Sequence, residues 1–185
     1  MRTEIITAKL LDPEDLLKVK LGVQLGQQVG DLGCGGAGYF TLPAARLVGA
    51  TGKIYAIDIL KSALEGVVSK AKLENLSNIE TVWSDLETVG AAKILPDSLD
   101  HALLINIMFQ SRQNDALAQE ARRLLRVGGK LLVVDWKIEP TPFGPPLGNR
   151  LAPEVIKQIV NKYGFVIDQE FAAGPYHYGI VFVKQ

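Results

Sequence analysis

Hydrophobic and polar positions follow two alternating patterns along the chain. Short, nearly continuous apolar runs are typical of buried parallel strands, and the longer segments between them place apolar residues at helical spacing. The apolar runs predict a strand ending at Asp31 and strands over 53–58, 79–83, 99–109, 131–135, 165–170 and 179–184. The amphipathic segments predict helices over 12–22, 41–48, 60–73, 86–92, 112–126 and 153–163. Strands that alternate with helices indicate an α/β fold built on an open, mostly parallel sheet.

Two of these helices carry chemical signals at their ends. Asp12 precedes Pro13 and two further acids, which is the pattern of an N-cap, a first-turn proline and acids that complement the helix dipole. Gly22 is expected to end that helix, and Gly164 is expected to end the last one.

The composition excludes several classes of function. With 185 residues, of which 48% are hydrophobic and 22% charged, the chain suits one globular domain over 1–185. Its 20 basic and 20 acidic residues balance, so we expect no general attraction to nucleic acid or to anionic membranes. Residues 1–9 lack the apolar core of a signal peptide, and no apolar run reaches membrane-spanning length.

The chain has only one cysteine and two histidines, which limits the redox and metal chemistry that it can perform. Cys34 cannot form an intramolecular disulfide, which fits a cytoplasmic location. Because no histidine neighbours Cys34 in sequence, we interpret it as a small loop residue rather than a nucleophile. His101, near the start of a strand, is interpreted as structural, and His177, beside a turn, is expected at the surface. No metal site is expected from so few ligands.

Residues 28–40 read Q-V-G-D-L-G-C-G-G-A-G-Y-F and give the strongest indication of a ligand. A strand ends in Asp31, and a glycine cluster follows before the next helix. A phosphate over this turn would meet the negative charge of Asp31, whereas an ammonium group would donate hydrogen bonds to it. Gly33 and Gly35 leave room for a ligand beside bare backbone. The pattern favours the amino-acid end of S-adenosylmethionine over the pyrophosphate of a dinucleotide.

This stretch resembles the first motif of the class I S-adenosylmethionine-dependent methyltransferases, which usually reads D-x-G-x-G-x-G. Here Ala37 takes the place of the last glycine, and the next glycine is Gly38. The same residues also fit the dinucleotide pattern G-x-G-x-x-G, and a tight strand-to-helix turn alone would need similar glycines. A second segment, L-L-R-V-G-G-K-L-L-V-V-D over 124–135, resembles the L-x-P-G-G segment of that superfamily, with Val127 in place of proline.

The resemblance covers most of the chain, from about Gly22 to its end, and implies a fold. That fold is a Rossmann-like three-layer sandwich, in which a seven-stranded, mostly parallel sheet has an antiparallel last strand and helices on both faces. The antiparallel pair at the end distinguishes it from a dinucleotide-binding domain. The implied cofactor is S-adenosylmethionine, with the helical segment 1–27 at the cofactor cleft. Alternatively, that segment merely covers a sheet edge.

Acids after the second and third strands are the next candidates for cofactor binding. Asp58 lies 20 residues after Gly38, where a carboxylate accepts hydrogen bonds from ribose hydroxyls in NAD-dependent and S-adenosylmethionine-dependent enzymes alike. The resemblance implies that Asp85 accepts a hydrogen bond from the adenine amino group. For both acids the alternative is a simple helix cap. The resemblance implies further cofactor contacts from Cys34, Ile59, Ser84, Leu86 and, at the methionine end or the substrate mouth, Asn106.

Residues 136–152 are the part of the chain richest in proline and glycine, which predicts a loop at the carboxyl-end crevice. Loops in that position carry substrate specificity. Trp136, Phe143 and Arg150 are therefore candidate substrate contacts, and Asp135 is the candidate general base if the acceptor needs one. Alternatively, the aromatic residues only anchor the loop.

The resemblance is closest to small-molecule methyltransferases such as those of ubiquinone and menaquinone biosynthesis, and it implies methyl transfer to a small acceptor. In-line displacement at a sulfonium needs alignment and desolvation more than a catalytic constellation. The Asn/Asp-Pro-Pro-Tyr signature of many amino-group methyltransferases is absent at Asn106. A methyltransferase-like scaffold without catalysis stays open as an alternative. An NAD-dependent oxidoreductase would need an apolar residue at position 31 and a second domain.

Overall fold

A computed structural model describes residues 10–185, so the expectation about a signal peptide in 1–9 lies outside the described residues. The strands are β1 (Gln28–Leu32), β2 (Lys53–Asp58), β3 (Ile79–Trp83), β4 (Leu99–Ile105), β5 (Leu125–Trp136), β6 (Phe165–Ala172) and β7 (His177–Lys184). The helices are α1 (Asp15–Leu21, with π-helical hydrogen bonding), α2 (Thr41–Val48), α3 (Lys61–Leu73), α4 (Asn114–Leu124) and α5 (Pro153–Asn161). Met108–Gln110 and Leu147–Asn149 form short 3₁₀ turns.

The seven strands form one sheet in the order β3-β2-β1-β4-β5-β7-β6. The first five strands pair in parallel, and β7 runs antiparallel between β5 and β6. The predicted fold class is therefore confirmed, including the antiparallel last strand. Since parallel strands end at the same edge of a sheet, the carboxyl ends of β1 to β5 lie side by side.

Two apolar clusters cover the two faces of the sheet. Along β4, Leu103 belongs to one cluster, while its neighbours Ala102 and Leu104 belong to the other, as the two-residue period of a strand requires. The cluster with Ala102 and Leu104 contains residues of α4 and α5, and the cluster with Leu103 contains residues of α1 and α2. Helices on both faces of the sheet thus give the expected three layers.

The predicted start of the first helix is confirmed. Asp12 Oδ1 accepts hydrogen bonds from the backbone N–H groups of Glu14 (3.0 Å) and Asp15 (3.3 Å), as an N-cap does. Gly22 ends the helix in a left-handed conformation with φ of 80°.

The predicted helix over 86–92 is wrong, because this segment consists of turns. Side chains of α4 satisfy its backbone groups instead. Glu120 accepts a hydrogen bond from the N–H of Gly90 (2.8 Å), and Arg123 donates to the carbonyl oxygens of Ala92 (2.9 Å) and Ile94 (3.0 Å). These contacts replace the intrahelical hydrogen bonds that a helix would have formed.

Two negative findings concern residues 10–185. Within that range no helix combines the length and the apolar character needed to cross a membrane. The same residues contain no group of three or more His, Cys, Asp or Glu side chains placed to hold a metal ion.

Candidate functional site

A cleft of about 530 Å³ opens at the carboxyl ends of β1 to β4. Of the predicted cofactor residues, those that line it are Gly33, Gly35, Asp58, Ile59, Ser84, Asp85 and Leu86. Cys34, Asp31 and Asn106 are not among the lining residues. The sequence thus located one wall of the cleft, formed by the segments that follow β1, β2 and β3.

The glycine turn after β1 is shaped for close packing. Gly33 has a φ of 89°, and a Cβ added there would overlap the side chain of Ile107. Gly35 also has a positive φ, of 62°, but a Cβ there would meet no atom within 4 Å. Gly33 is therefore required by the fold itself, while Gly35 leaves open space on the cleft side.

Asp58 connects the glycine turn to the start of α3. Its Oδ2 accepts a hydrogen bond from the N–H of Gly35 (2.9 Å), and its Oδ1 accepts one from the N–H of Leu60 (2.9 Å). The second contact is a local turn ahead of α3, whose N-cap is Leu60 and which has no side-chain cap, so Asp58 is not the helix cap suggested as the alternative. Because each carboxylate oxygen has a further lone pair, Asp58 can still accept hydrogen bonds from a ligand.

Asp31 is a buried carboxylate at the end of β1, with an exposed fraction of 4%. Thr41 Oγ1, on α2, donates a hydrogen bond to its Oδ2 (2.6 Å). Burial raises the pKa of Asp31 to about 6; the Thr41 hydrogen bond opposes this rise, and the charge of Asp58 adds to it. Among residues 10–185 no basic side chain forms a salt bridge with it. Such a carboxylate favours a cationic ligand.

The thiol of Cys34 stays protonated in this environment. Burial is the largest cause of its raised pKa, and the charges of Asp31 and Asp58 raise the pKa further. A thiol with a raised pKa is a poor nucleophile, so the interpretation of Cys34 as a small loop residue is retained.

The segment after β3 contributes two polar residues, Ser84 and Asp85, to the lining of the cleft. The hydroxyl of Ser84 is buried and has no hydrogen-bond partner within the described part of the chain. Asp85 is exposed, and its Oδ1 accepts a hydrogen bond from the N–H of Glu87 (2.9 Å); its other carboxylate oxygen has no partner among residues 10–185 and can accept from a ligand. A buried hydroxyl without a partner costs about 1–3 kcal/mol, which a ligand contact would offset.

Asn106 follows β4 in a strained conformation. Its φ is 57°, a value that is uncommon for residues other than glycine. The backbone N–H donates to Val134 O (2.8 Å), while the buried side-chain oxygen has no partner within residues 10–185. The strain and the unpaired oxygen both favour a ligand-binding role at this position.

Sequence reasoning missed the other residues that line the cleft. These are Leu60, Glu87, Ile107, Gln110, Ser111 and Leu117. Glu87 Oε1 accepts hydrogen bonds from Ser111 Oγ (2.7 Å) and from the N–H of Arg112 (3.0 Å), so it links the segments after β3 and β4. The available signal was the position of both segments directly after parallel strands.

Asp135, the candidate base, is fully buried near the end of β5. Its Oδ1 accepts a hydrogen bond from the backbone N–H of Trp136 (2.8 Å), and its Oδ2 accepts one from the backbone N–H of Phe109 (3.1 Å). Burial raises the pKa of Asp135 to about 6, and the two backbone hydrogen bonds oppose the rise.

The predicted substrate loop is folded around Arg150. Its guanidinium donates to loop oxygens, which are Pro145 O (3.0 Å), Lys137 O (3.0 Å), Glu139 O (2.7 Å) and Thr141 Oγ1 (2.6 Å). It also stacks 5.3 Å from the ring centroid of Trp136, which contacts Phe143 edge to face. All three predicted substrate residues thus make loop-anchoring contacts, and their role in substrate binding stays a prediction.

His177 was expected at the surface, and this expectation is wrong. The residue is 1% exposed, because it begins β7 opposite Trp136 and packs against that indole ring with centroids 4.2 Å apart. His101, which was interpreted as structural, is buried, and its Nε2 pairs with Gln27 Oε1 at 3.0 Å.

The segment before α1 contacts the residues that follow the glycine turn. The hydroxyl of Tyr39 donates a hydrogen bond to the carbonyl oxygen of Leu11 (2.8 Å). This contact agrees with a cover beside the cleft, although its function as part of the cofactor site stays a prediction.

Comparison with known proteins places this chain in a family. The family model described as "Methyltransferase domain" matches residues 25–163, more than half of the chain. The ubiquinone/menaquinone biosynthesis C-methyltransferase of Escherichia coli O1:K1 / APEC is 34% identical over 126 residues, which are 64% of this chain and 47% of the relative. The chain therefore spans about half the length of this curated relative.

Solved structures agree with the fold. The crystal structure of an S-adenosylmethionine-dependent methyltransferase from Aquifex aeolicus has a TM-score of 0.87 at 24% identity, covering 96% of this chain and 92% of that one. The fibrillarin of Aeropyrum pernix, solved with natively bound S-adenosylmethionine, has a TM-score of 0.66 at 18% identity, covering 87% and 68%. The family match and this architecture together show that the chain belongs to the class I S-adenosylmethionine-dependent methyltransferases.

Proposed function

We propose that this chain transfers a methyl group from S-adenosylmethionine to a small-molecule acceptor by in-line displacement. The observation that supports the proposal best is the buried hydroxyl of Ser84, a residue that lines the carboxyl-end cleft, which has no hydrogen-bond partner within residues 10–185. A polar atom left unsatisfied at the ligand edge of an open α/β sheet favours a ligand with hydrogen-bonding groups.

The residues around the cleft fit this cofactor. Asp31 would pair with the ammonium group of the methionine end, since it is a buried carboxylate without a cationic partner within residues 10–185. Asp58 would accept hydrogen bonds from the ribose hydroxyls, and Asp85 from the adenine amino group. The remaining contacts would come from Gly33, Cys34, Gly35, Ile59, Ser84, Leu86 and Asn106.

When bound, S-adenosylmethionine supplies a methyl group on a positively charged sulfur that is already a good leaving group. The chain's own task is then to orient the reactants and to exclude water. Asp135 is retained as the base for an acceptor that must lose a proton, because a pKa of about 6 suits proton transfer near neutral pH. Since Asp135 is fully buried, it can reach an acceptor only when the residues that cover it move.

A small-molecule acceptor is part of the proposal. The E. coli relative is a C-methyltransferase of ubiquinone and menaquinone biosynthesis, and this similarity favours a small-molecule acceptor here. The balanced charge of the chain gives no support to a nucleic-acid acceptor. The single cysteine supports a cytoplasmic location, which stays a prediction.

Ligand-induced stabilisation tests the proposal. Thermal unfolding is measured with S-adenosylmethionine, S-adenosylhomocysteine, NAD and NADP in parallel. We expect the two adenosyl-sulfur ligands to stabilise the fold by about 2.7 kcal/mol at a hundredfold excess over Kd. The dinucleotides are expected to have no effect. Stabilisation by NAD instead would indicate an oxidoreductase, and no stabilisation by any ligand would indicate a scaffold.

Turnover is tested separately by the release of S-adenosylhomocysteine with a panel of small acceptors. Asp58→Asn should weaken cofactor binding, because an amide accepts fewer hydrogen bonds than a carboxylate. Glu80→Gln, at an exposed position of β3 outside the cleft, is the matched control. Equal affinity of both variants for S-adenosylhomocysteine would contradict the assigned role of Asp58.

A further inference from the structure

The loop 137–150 is attached to the rest of the chain mainly at its two ends and by aromatic contacts, with Lys137 donating hydrogen bonds to the carbonyl oxygens of Tyr176 (2.9 Å) and Pro175 (3.0 Å). Most of its residues are exposed, and its only regular element is the 3₁₀ turn Leu147–Asn149. Arg150 supplies four hydrogen bonds within the loop, and the aromatic contacts of Phe143 attach the loop to Trp136 and Tyr176. Segments with few buried contacts open at the lowest free-energy cost. The loop can therefore move as one unit while the sheet beneath it stays folded.

His177 lies beside the anchor of this loop. Its ring packs on the indole of Trp136, and the guanidinium of Arg150 also stacks on that indole. Both ring nitrogens of His177 are buried, and neither has a hydrogen-bond partner within residues 10–185. Two unsatisfied ring nitrogens therefore lie next to the part of the structure that can move.

Leaving both nitrogens unpaired is costly. Each buried, unsatisfied polar atom destabilises the fold by about 1–3 kcal/mol, whereas an apolar ring of similar shape would avoid that cost. Phenylalanine would retain the contact with Trp136 without carrying an unpaired donor or acceptor. A histidine at this position is thus explained by a ligand that pairs with the ring when the loop opens.

The charges around the ring restrict that ligand. Burial, together with the smaller effect of the positive charges of Arg150 and Lys137, lowers the pKa of His177 to about 4. At neutral pH the imidazole is therefore uncharged and offers one donor and one acceptor. The same two cations would repel an ammonium group and attract an acidic oxygen.

We infer that His177 is a substrate-binding residue beneath the loop 137–150, and that the methyl acceptor presents an acidic oxygen, such as a phenol or carboxyl group, to its imidazole. This inference rests on the proposed function, since it identifies the acceptor class of the same enzyme. The acceptor enters when the loop opens. Its acidic oxygen then forms a hydrogen bond with the imidazole and is attracted by the positive charges of Arg150 and Lys137.

Nuclear magnetic resonance (NMR) spectroscopy of the protein with isotopically labelled histidine tests the inference. The chain has two histidines, so His101, near the amino end of the central strand β4, serves as an internal control. The probes are benzoate, phenol and benzylammonium at millimolar concentration, with and without S-adenosylhomocysteine. We expect benzoate or phenol to shift the signals of His177 but not those of His101, and benzylammonium to shift neither.

Two variants separate binding from folding. His177→Phe should be at least as stable as the parent protein and should bind the acidic probe about tenfold more weakly, the loss expected for one buried hydrogen bond. His177→Gln keeps a donor and an acceptor, so it should retain most of the binding. Calorimetry with S-adenosylhomocysteine should give the same Kd for all three proteins.

The inference is overturned if neither acidic probe shifts His177, if benzylammonium shifts it equally, or if His177→Phe binds the probe as tightly as the parent. A failure of the proposed function looks different. In that case S-adenosylhomocysteine would not bind, while the probe titrations without cofactor would still report on His177.

Discussion

Replacing Asp31 with asparagine should stabilise the ligand-free fold and weaken cofactor binding at the same time. Burial raises the pKa of this carboxyl from 3.8 to about 6, so the folded state disfavours its charged form. Each pKa unit corresponds to 1.36 kcal/mol, which gives an upper limit of about 3 kcal/mol for the penalty. Asparagine carries no charge, and its Oδ1 can still accept the hydrogen bond from Thr41.

The sign of the pH dependence follows from the raised pKa. Between pH 3.8 and about 6 the folded protein binds more protons at Asp31 than the unfolded chain, so this residue makes stability fall as the pH rises. Above pH 6 the penalty is fully present, and below pH 3.8 it is absent. The advantage of Asp31→Asn should therefore be largest at pH 7.5 and should shrink strongly towards pH 4.

Urea denaturation of both proteins at pH 7.5 and pH 4.5 measures this difference. Asp168→Asn, at a partly exposed salt bridge with Lys130, is the control that removes a carboxylate without relieving burial. Calorimetry should show that Asp31→Asn binds S-adenosylmethionine about tenfold to a hundredfold more weakly, because a charge-assisted hydrogen bond of about 1.5–3 kcal/mol is lost.

Two results would refute this reasoning. If Asp31→Asn were less stable than the parent at pH 7.5, other groups of the ligand-free fold would have to stabilise the charged carboxylate of Asp31 and offset its burial. If the variant kept the parent's affinity for S-adenosylmethionine, the ammonium group would have to bind elsewhere, and the interpretation of the glycine turn would fail with it.

Four further substitutions test the site and its loop. Gly33→Ala should destabilise the fold by about 1–3 kcal/mol in urea denaturation, because its Cβ overlaps Ile107 at a positive φ. Gly35→Ala, which has open space, should cost less, and equal costs would contradict the packing argument. Ser84→Ala should leave stability unchanged or slightly raised, while its affinity for S-adenosylhomocysteine falls about threefold to tenfold by calorimetry; unchanged affinity would exclude the hydroxyl from the site. Arg150→Ala should speed proteolytic cleavage within the loop, because four hydrogen bonds are lost; an unchanged cleavage rate would show that the loop is held by other contacts.

The sheet and the first wall of the cleft could be predicted because they depend on local signals. Asp31, the glycine turn and Asp58 follow apolar runs, and parallel strands bring such positions to one edge whatever the details of packing. Glu87 and Ser111 could not be found this way. Their contact joins two segments that are distant in the chain. Glu87 was also missed because the sequence analysis placed it in a helix over 86–92.

The error at His177 has a similar origin. Position beside a turn suggested exposure, but the register of β5 with β7 sets this residue against Trp136. Local sequence does not encode that register, because it depends on how the antiparallel strand inserts between its neighbours. The same register places Tyr178 against Asp135, the residue proposed as the base.

Buried polar atoms without partners provide a test of the site that is independent of family resemblance. Within residues 10–185 they belong to Ser84, His101, Asn106, Asn114 and His177. Ser84 and Asn106 follow β3 and β4, and His177 lies opposite the end of β5, so these three share the carboxyl edge of the sheet. Selection for stability alone would tend to replace such groups with apolar ones. Their concentration at this edge is therefore best explained by ligands, with the cofactor at Ser84 and Asn106 and the acceptor at His177.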